Sequence, residues 1–397
     1  MTFTSFVLLL FCSTTKSLHG FVASPNIRST MRKLPVRPRP PKTSNIHQVV
    51  PFAHSTWQNM MMSSSSSYDI ASSENVSRNN LQKSTAQLGA WIPVGSASAF
   101  APLSPTMVTI MNQEFAVWQN ELTKEWSVLL DECPHRLAPL SQGRINPSSG
   151  CIECPYHGWE FECDGTNHHI PQFPNKELFD NAISNPKSNL HATSFPVHLS
   201  GDLIFAFLPT PFHNESFPIT LTPEEMYFGL SAQASNNMTF YVRELPYSFD
   251  FLVENFFCPA HIPFAHHGLQ GVRNDGSPIP MNVIANNFTT VEVEYQDRIR
   301  NKTRNGILSF ARPSYYHFRL KDLENKIRKT PALQIYCVPI RAGQSRVLFQ
   351  NAFSKRIPTW LVHAASNRFL NTDTWLHNAE RRMRIRQDNS NITTRST

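Results

Sequence analysis

The sequence predicts an α+β protein in which a small all-β domain precedes an antiparallel-sheet domain with a long C-terminal helix. Three observations predict this arrangement. Two loops, at 133–136 and 154–159, each offer one cysteine and one histidine in a region of short β-type runs, which is typical of an all-β domain. Further alternating runs follow after residue 238 and indicate a second sheet. Residues 360–386 contain no glycine or proline, which favours a helix.

The two loops predict an iron-sulfur centre. They read Cys-Pro-His-Arg and Cys-Pro-Tyr-His-Gly-Trp, and their candidate ligands are Cys133, His135, Cys154 and His157. A Rieske [2Fe-2S] cluster requires this set, because two cysteines hold one iron and two histidines hold the other. Proline after each cysteine and Gly158 in the second loop suit the tight turns that present such ligands.

Other uses of these residues fit less well. Tetrahedral zinc accepts two cysteines and two histidines, but zinc fingers favour C-x2-4-C and H-x3-5-H pairs rather than mixed halves. Cys151 forms a C-x-x-C with Cys154, which is typical of a redox dithiol. That interpretation leaves His135 and His157 without a role.

The positive charge of the chain is confined to its beginning. The formal net charge is +7, with 36 basic and 29 acidic residues, and no aspartate or glutamate precedes Asp69. Seven basic residues occur before that point, and subtracting them from 36 leaves 29 against 29. The body of the chain is therefore neutral, which argues against a nucleic-acid partner. The seven are Lys16, Arg28, Arg32, Lys33, Arg37, Arg39 and Lys42.

Residues 1–68 have the composition of a targeting presequence. An apolar run at 6–11 is too short to span a bilayer, and a basic, Ser/Thr/Pro-rich tract follows it. This pattern resembles the bipartite signal and transit presequence of algae with secondary plastids, and it predicts a plastid (chloroplast) location. A secretory signal followed by a linker is the alternative. No later apolar run is long enough for a transmembrane helix, so we expect a soluble or peripheral membrane protein.

The pattern of strands, prolines and helix formers divides the chain into five segments. Four prolines fall within the sixteen residues 209–224, which indicates a linker between two domains. The predicted segments are the presequence 1–68, a cluster domain 88–208, a linker 209–237, a catalytic domain 238–386 and a disordered tail 387–397.

A second metal site is predicted around His261 and His266. The two histidines lie five residues apart, and Pro263 between them distorts a helix in a way that lets both reach one ion. A carboxylate from elsewhere would complete the 2-His-1-carboxylate set that holds non-haem Fe(II), and Asp373 on the C-terminal helix is our candidate. Glu380 and Asp322 are the alternatives.

Taken alone, the histidine pair would equally fit a polar surface or a buried hydrogen-bonded pair. The cluster motif roughly 100 residues upstream favours the metal site, because an O2-activating iron needs electrons delivered singly.

Several segments resemble the Rieske non-haem iron oxygenases. Among these the chain is similar to the pheophorbide a oxygenase group of plants and algae, over about residues 88–385. The segments are Cys-Pro-His-Arg-Leu-Ala-Pro-Leu-Ser at 133–141, Tyr-His-Gly-Trp-Glu-Phe at 156–161, Ile-Pro-Gln at 170–172 and the stretch 254–267.

The resemblance implies a Rieske-type iron-sulfur domain followed by a helix-grip catalytic domain, in a homotrimer where one subunit's cluster serves its neighbour's iron. It implies monooxygenation of a chlorophyll-derived tetrapyrrole, as in chlorophyll catabolism. Electrons would pass from ferredoxin through the [2Fe-2S] cluster to a mononuclear Fe(II) that activates O2. The resemblance places His261, His266 and Asp373 at the iron-ligand positions.

The chain departs from the family's pattern at three places. Cys258 stands where the family has an aspartate that bridges the two centres, and a thiol hydrogen-bonds more weakly than a carboxylate. Glu254, one helical turn earlier, is a candidate substitute. Asn167, His168 and His169 occupy the place of the usual cysteine before Ile-Pro-Gln. The C-terminal C-x-x-C and hydrophobic hairpin of the plastid members do not occur in these 397 residues.

Two rival functions follow from these departures and from composition. One is a Rieske redox or regulatory plastid protein without oxygenase turnover, like a translocon-associated relative. The other is an oxygenase of a smaller substrate, such as a sterol or a quaternary amine, the latter held in an aromatic cage that includes Tyr315 and Tyr316. Packing of those two tyrosines on a sheet is the simpler interpretation.

Overall fold

The computed structural model describes residues 88–395, apart from 102, 186–187, 210–216, 219, 236–239, 288, 323, 330 and 351–357. The predicted presequence 1–68 lies outside the described residues. Every strand pair in the described part of the chain is antiparallel, and the strands form four sheets. Three sheets with four strands each belong to the first half of the chain, and one sheet with seven strands belongs to the second half.

The first half is a sandwich of two sheets with a third, smaller sheet at one end. The sandwich sheets have the orders β10-β11-β1-β12 and β2-β3-β4-β9, and Ile92, Phe115 and Phe205 lie in the core between them. The small sheet, β5-β6-β7-β8, lies next to the two cysteine-histidine loops. The elements are β1 (Leu88–Ser96), β2 (Thr106–Ile110), β3 (Gln113–Gln119), β4 (Trp126–Leu130), β5 (Arg144–Ile145), β6 (Ile152–Glu153), β7 (Glu160–Phe161), β8 (Asn167–His169), α1 (Lys176–Ile183), β9 (Ser194–Phe195), β10 (Val197–Ser200), β11 (Leu203–Leu208) and β12 (Phe217–Pro218).

The second half is one antiparallel sheet in the order β13-β19-β18-β17-β16-β15-β14, with helices against one face. Its strand β15 alternates between buried and more exposed residues, as the sequence pattern predicts, whereas β16 is buried continuously over residues 306–310. The elements are α2 (Pro223–Met226), α3 (Leu230–Ser235), β13 (Phe240–Leu245), α4 (Phe249–Phe257), α5 (Ile262–Ala265), β14 (Met281–Asn286), β15 (Thr290–Ile299), β16 (Lys302–Ala311), β17 (Tyr315–Leu320), β18 (Leu333–Arg341), β19 (Gln344–Gln350), α6 (Thr359–Asn371) and α7 (Leu376–Arg395).

Adjacent residues of β17 show what each face of the large sheet packs against. Tyr315 belongs to the core shared with the first domain, where it packs beside Tyr227 and Tyr336. Tyr316 points to the opposite face, as the next residue of a strand must, and its ring stacks on Phe256 of α4. Both tyrosines are buried. They therefore pack in two different cores and do not form a shared cage.

The segment predicted as a linker is partly structured. It contains α2 and α3, and Tyr227 between them is buried. The Tyr227 hydroxyl donates a hydrogen bond to the carbonyl oxygen of Trp91 at 2.5 Å and lies 3.1 Å from the hydroxyl of Ser314. This side chain therefore connects the first domain to the large sheet, because Trp91 is in β1 and Ser314 directly precedes β17.

The C-terminal helix is not continuous. Residues 372–375 form a turn between α6 and α7, although they contain no glycine or proline. The hydroxyls of Thr372 and Thr374 donate hydrogen bonds to the carbonyls of Phe369 and Asn371 at 2.6 and 2.9 Å. Such side-chain bonds compete with the helical pattern, and the backbone here tightens to bonds between residues three apart. The helix then continues to Arg395, past the residue where we expected a disordered tail to begin.

Candidate metal centres

The two cysteine-histidine loops have the same backbone geometry. In the first loop the Cys133 N–H donates to Ala138 and the Leu137 N–H donates to Cys133, both at 2.8 Å. In the second loop the Cys154 N–H donates to Trp159 at 2.8 Å and the Gly158 N–H donates to Cys154 at 3.1 Å. Leu137 and Gly158 occupy equivalent positions, and both have positive φ angles of 56° and 72°. The repeated geometry presents both cysteines and both histidines in the same way.

The two cysteine sulfurs are buried and lie close to each other. Backbone N–H groups two and three residues further on donate to each sulfur, and the two side chains are hydrogen-bonded to each other. This mutual hydrogen bond lowers the pKa of Cys154 to about 6 and raises the pKa of Cys133, because two adjacent buried thiolates repel each other. A cluster of positively charged irons removes that repulsion, so the pair fits the thiolate half of a [2Fe-2S] site.

The two histidines lie beside each other, with ring centroids 4.8 Å apart. The ring of His135 stacks on Trp159 at 4.8 Å with an interplanar angle of 2°. The pKa of His135 is lowered by desolvation and by the nearby His157, which favours the neutral form that binds metal. The Nδ1 atom of His157 is buried and has no hydrogen-bond partner among the described residues. A buried polar atom without a partner is costly, and a bound iron would satisfy it.

Two supporting side chains were not predicted as site residues. Gln172, in the Ile-Pro-Gln motif, donates from Nε2 to the carbonyl of His157 at 2.9 Å and so holds the second loop. The buried carboxylate of Asp131 accepts hydrogen bonds from the backbone N–H and the hydroxyl of Ser141 at 2.7 and 2.5 Å. The Asp131 contacts connect the segments before and after the first loop, and the Gln172 contact holds the backbone of the second loop. The motif marked Gln172 in the sequence, but nothing in the sequence marked Asp131.

The second predicted site is assembled from three separate elements. Helix α4 ends at Phe257, a 3-10 turn follows at Pro259–His261, and α5 ends just before His266. The turn between α6 and α7 brings Asp373 to the same place. The Nε2 atoms of His261 and His266 lie 3.2 Å apart, and the Nε2 of His266 lies 3.3 Å from Oδ2 of Asp373. These three residues form a group of donors that converge within 4.8 Å.

The electrostatics of this group favour a bound cation. Burial lowers the pKa of His261 to about 4 and the pKa of His266 to about 3, so both imidazoles are neutral at pH 7. Burial raises the pKa of Asp373 to about 6, although a hydrogen bond from Asn255 opposes the rise. The Oδ1 atom of Asp373 is buried without a partner in the described chain. The donor set therefore fits a divalent ion such as Fe(II).

Thr372 and Asn255 support the ligands and were not predicted. The Thr372 hydroxyl donates to its own helix, so the hydrogen bond of 2.7 Å between its oxygen and His266 requires an N–H at Nδ1 of the imidazole. This network assigns the tautomer and leaves the Nε2 lone pair free for a metal. Asn255 on α4 donates from Nδ2 to Asp373 at 3.1 Å. The sequence showed a Thr next to the candidate ligand, but the helix break that directs it toward His266 was not predicted.

The remaining predicted site residues are not members of this group. Cys258 follows α4 and is exposed, and Glu254 lies one turn earlier on α4. Glu380 is buried, but it accepts hydrogen bonds from the Ser248 backbone at 2.9 Å and from Arg384. Asp322 is exposed in a turn. Neither Glu380 nor Asp322 belongs to the group of three donors.

Family models match both halves of the chain. The model described as "Rieske [2Fe-2S] domain" matches residues 90–188, which include both cysteine-histidine loops. The model described as "Pheophorbide a oxygenase" matches residues 310–390, which include Asp373.

Relatives with curated names match parts of the chain. "Pheophorbide a oxygenase, chloroplastic" of Oryza sativa subsp. japonica is 35% identical over 193 residues, covering 49% of this chain and 35% of the relative. "Flavonoid 8-hydroxylase 2, chloroplastic" of Ocimum basilicum is 27% identical and covers 74% and 59%. "Protochlorophyllide-dependent translocon component 52, chloroplastic" of Arabidopsis thaliana is also 27% identical, with the same coverage. The chain spans from about a third to three fifths of the length of these relatives.

Solved structures share the fold. Dicamba monooxygenase bound to dicamba has a TM-score of 0.59 at 17% identity, covering 77% of this chain and 91% of that chain. The same enzyme with non-heme iron and dicamba has a TM-score of 0.54 at 18% identity, over the same shares. The fold and the two donor sets define the class of Rieske non-haem iron oxygenases, with a [2Fe-2S] cluster and a mononuclear iron. The family matches are more particular: residues 90–188 match a Rieske [2Fe-2S] domain, and residues 310–390 are similar to pheophorbide a oxygenase.

Replacing Asp373 by alanine should remove the mononuclear iron and leave the cluster in place. We expect about three irons per chain in the unchanged protein and about two in Asp373→Ala, because the cluster ligands belong to another domain. Iron analysis together with the EPR signal of the reduced cluster measures both. Asp322→Ala removes an exposed carboxylate and serves as the control. Equal iron in both variants would exclude Asp373 as a ligand.

Replacing Thr372 by valine should weaken mononuclear iron binding without unfolding the site. Valine keeps the branched shape but accepts no hydrogen bond from His266, so we expect a 10–100-fold loss of Fe(II) affinity. Thr372→Ser keeps the hydroxyl and should bind almost as the unchanged protein does. Fe(II) titration with the cluster EPR signal as a folding control checks this, and equal affinity in the two variants would show that the hydroxyl does not position His266.

Proposed function

We propose that this chain is a Rieske-type monooxygenase of a chlorophyll-derived tetrapyrrole. The observation that carries the proposal is the presence of two distinct donor sets in one chain, the cysteine-histidine loops of a Rieske domain and the converging group of His261, His266 and Asp373, together with the family match over residues 310–390. When bound, the [2Fe-2S] cluster supplies single electrons and the mononuclear Fe(II) supplies O2 activation. We assign the electron donor to the ferredoxin class. The names of relatives such as pheophorbide a oxygenase support the substrate class.

The protein's own part is to hold and orient these groups. Cys133, Cys154, His135 and His157 would hold the cluster at the end of the first domain. His261, His266 and Asp373 would hold the mononuclear iron as a three-residue set that leaves other coordination positions free. Thr372 fixes the proton of His266 at Nδ1, and Asn255 fixes one oxygen of Asp373.

The location we propose is the plastid. Relatives from three plant species carry "chloroplastic" in their names, and the composition of residues 1–68 agrees with an organelle presequence. None of the helices in the described ranges is long and apolar enough to cross a membrane. Fusion of residues 1–87 to a fluorescent protein tests the location, and secretion of the fusion would contradict it.

Reconstitution tests the activity directly. The purified chain, loaded with iron, is supplied with ferredoxin, its reductase and NADPH, and O2 uptake and pigment absorbance are followed with pheophorbide a and related tetrapyrroles. We expect pigment-dependent O2 uptake and incorporation of 18O from O2 into the product. Asp373→Ala, with an intact cluster, is the matched control. Pigments that stay unchanged while a flavonoid is hydroxylated would reject the tetrapyrrole and keep the oxygenase.

A redox or regulatory protein without oxygenase turnover is the second candidate, and Cys258 is the observation that favours it. His261 Nδ1 is buried without a hydrogen-bond partner of normal geometry among the described residues, and the backbone of Cys258 lies near it. An aspartate at 258 would offer a carboxylate that accepts from two imidazoles, whereas the thiol is a weak acceptor. Cys258 therefore lacks the carboxylate that would connect the histidines of the two metal centres by hydrogen bonds.

Cys258→Asp should raise turnover on the order of 10-fold or more if the missing carboxylate limits electron transfer between the centres. The measurement is pigment-dependent O2 uptake, with the rate of cluster reoxidation by stopped flow. Cys258→Ser, similar in size but uncharged, is the control and should leave both rates unchanged. Sedimentation of the same samples measures the oligomeric state, which we propose to be a homotrimer. Equal rates in Asp, Ser and unchanged proteins would remove the bridge argument, and absence of uptake in all three would favour the redox protein.

A further inference from the structure

A third group of potential metal ligands lies in the small sheet of the first domain. The Sγ of Cys151, a carboxylate oxygen of Glu160 and a ring nitrogen of His168 all lie within 4.8 Å of one another. Cys151 directly precedes β6, Glu160 begins β7, and His168 is the middle residue of β8. The three side chains therefore come from three successive strands. None of them is among the predicted ligands of the cluster or of the mononuclear iron.

A β-bulge places His168 in this group. Glu160 is paired with His169, and Phe161 is paired with Asn167, so His168 is the extra residue between the two pairs. A bulge redirects the side chain of the extra residue and bends the strand. His168 belongs to the Asn-His-His stretch that occupies the place of the family's usual cysteine. The histidine is therefore a departure from the family's pattern, and the bulge sets the orientation of its side chain.

Glu160 is a buried carboxylate without a cationic partner in the described part of the chain. It is 8% exposed, and its two oxygens accept hydrogen bonds from Asn146 at 2.9 Å and Ser149 at 3.0 Å, both neutral donors. The guanidinium of Arg144 pairs instead with Glu153 at 2.8 Å. A buried charge is costly without a counter-charge, and a carboxylate with one donor on each oxygen still has free lone pairs.

The other two side chains suit a metal in different ways. Cys151 is 3% exposed, and its thiol makes only a weak contact of 3.8 Å with the Ser149 carbonyl. The pKa of Cys151 is raised by burial and further by the negative charges of Glu162 and Glu160, which a cation would offset. His168 is 43% exposed and offers an entry path, and its Nδ1 pairs with Glu162 at 3.0 Å. A carboxylate in that position orients a metal-binding imidazole.

We propose that Cys151, Glu160 and His168 form a binding site for a divalent ion of the zinc class. Thiolate, carboxylate and imidazole are the donors that zinc takes, and a water completes the tetrahedron. On binding, the sulfur loses its proton to solvent as the S–Zn bond forms, and the metal keeps its oxidation state. The ion joins β6, β7 and β8 beside the cluster loops. We assign it a structural role, because its three ligands come from the segments that form three neighbouring strands of the small sheet.

The experiment loads the iron-replete protein with Zn2+, removes excess by gel filtration, and combines metal analysis with zinc K-edge X-ray absorption. We expect about one zinc per chain, with a single sulfur neighbour near 2.3 Å and lighter neighbours near 2.0 Å. His168→Ala and Cys151→Ser should lose this zinc. The matched controls are His169→Ala and Cys163→Ser, the neighbouring exposed histidine and half-buried cysteine, which should keep it. Iron content and the Rieske EPR signal report whether each variant is folded.

Three outcomes would overturn the proposal. The first is no zinc in the iron-replete protein. The second is zinc without a sulfur neighbour, which places it on histidine and carboxylate donors such as those around His261. The third is zinc with sulfur that survives both His168→Ala and Cys151→Ser, or that is lost equally in the controls. His168 is a surface side chain, so its replacement keeps the test valid even if Cys151→Ser fails to fold.

Discussion

The contact of His266 with Thr372 and Asp373 is the interaction on which the catalytic half of the molecule depends. It joins the segment after α4 to the turn between α6 and α7, more than 100 residues further along the chain. The Thr372 hydroxyl donates to Phe369 and accepts from His266, so the same atom interrupts the helix and sets the tautomer of the ligand. Helix geometry and metal chemistry are therefore coupled in one side chain.

The iron-sulfur site depends mainly on contacts within its own two loops. Each cysteine lies at the start of a tight loop whose own backbone supplies hydrogen bonds to the sulfur, and the same pattern occurs twice. The two loops converge because β5–β8 and the packing of Trp159 on His135 hold them together. Most of the hydrogen bonds that shape this site join residues that are close together in the sequence. The mononuclear site instead requires the large sheet to bring α4 and the C-terminal helices to the same face.

This difference explains how much the sequence predicted. The predicted fold class is confirmed by the structure and by similar solved structures. The spacing of Cys133, His135, Cys154 and His157 indicated a cluster because the ligands of each loop lie within a few residues of each other in the sequence. Asp373 was the candidate carboxylate on a helix predicted to be unbroken over 360–386, and the resemblance placed it at an iron-ligand position. The break beside it, where the hydroxyls of Thr372 and Thr374 bond to backbone carbonyls, was not predicted. The buried role of Tyr227 arises from contacts with residues far along the chain, and the hydrogen bonds of Asp131 and the bulge at His168 arise from the way neighbouring segments pack. No composition or periodicity signal records such contacts.

Cys258 shows how far structure and activity can separate in such a protein. It lies at the end of α4 with φ −106° and ψ 82°, and Pro259 starts the turn that carries His261. The backbone there is fixed by the helix end and by proline, and the exposed side chain contributes little to it. An exchange of carboxylate for thiol can therefore leave both donor sets assembled while it removes the strongest hydrogen-bond acceptor between them. Similarity of fold and of ligand residues therefore predicts which metals bind. It predicts much less about the rate of electron transfer between the two metal centres.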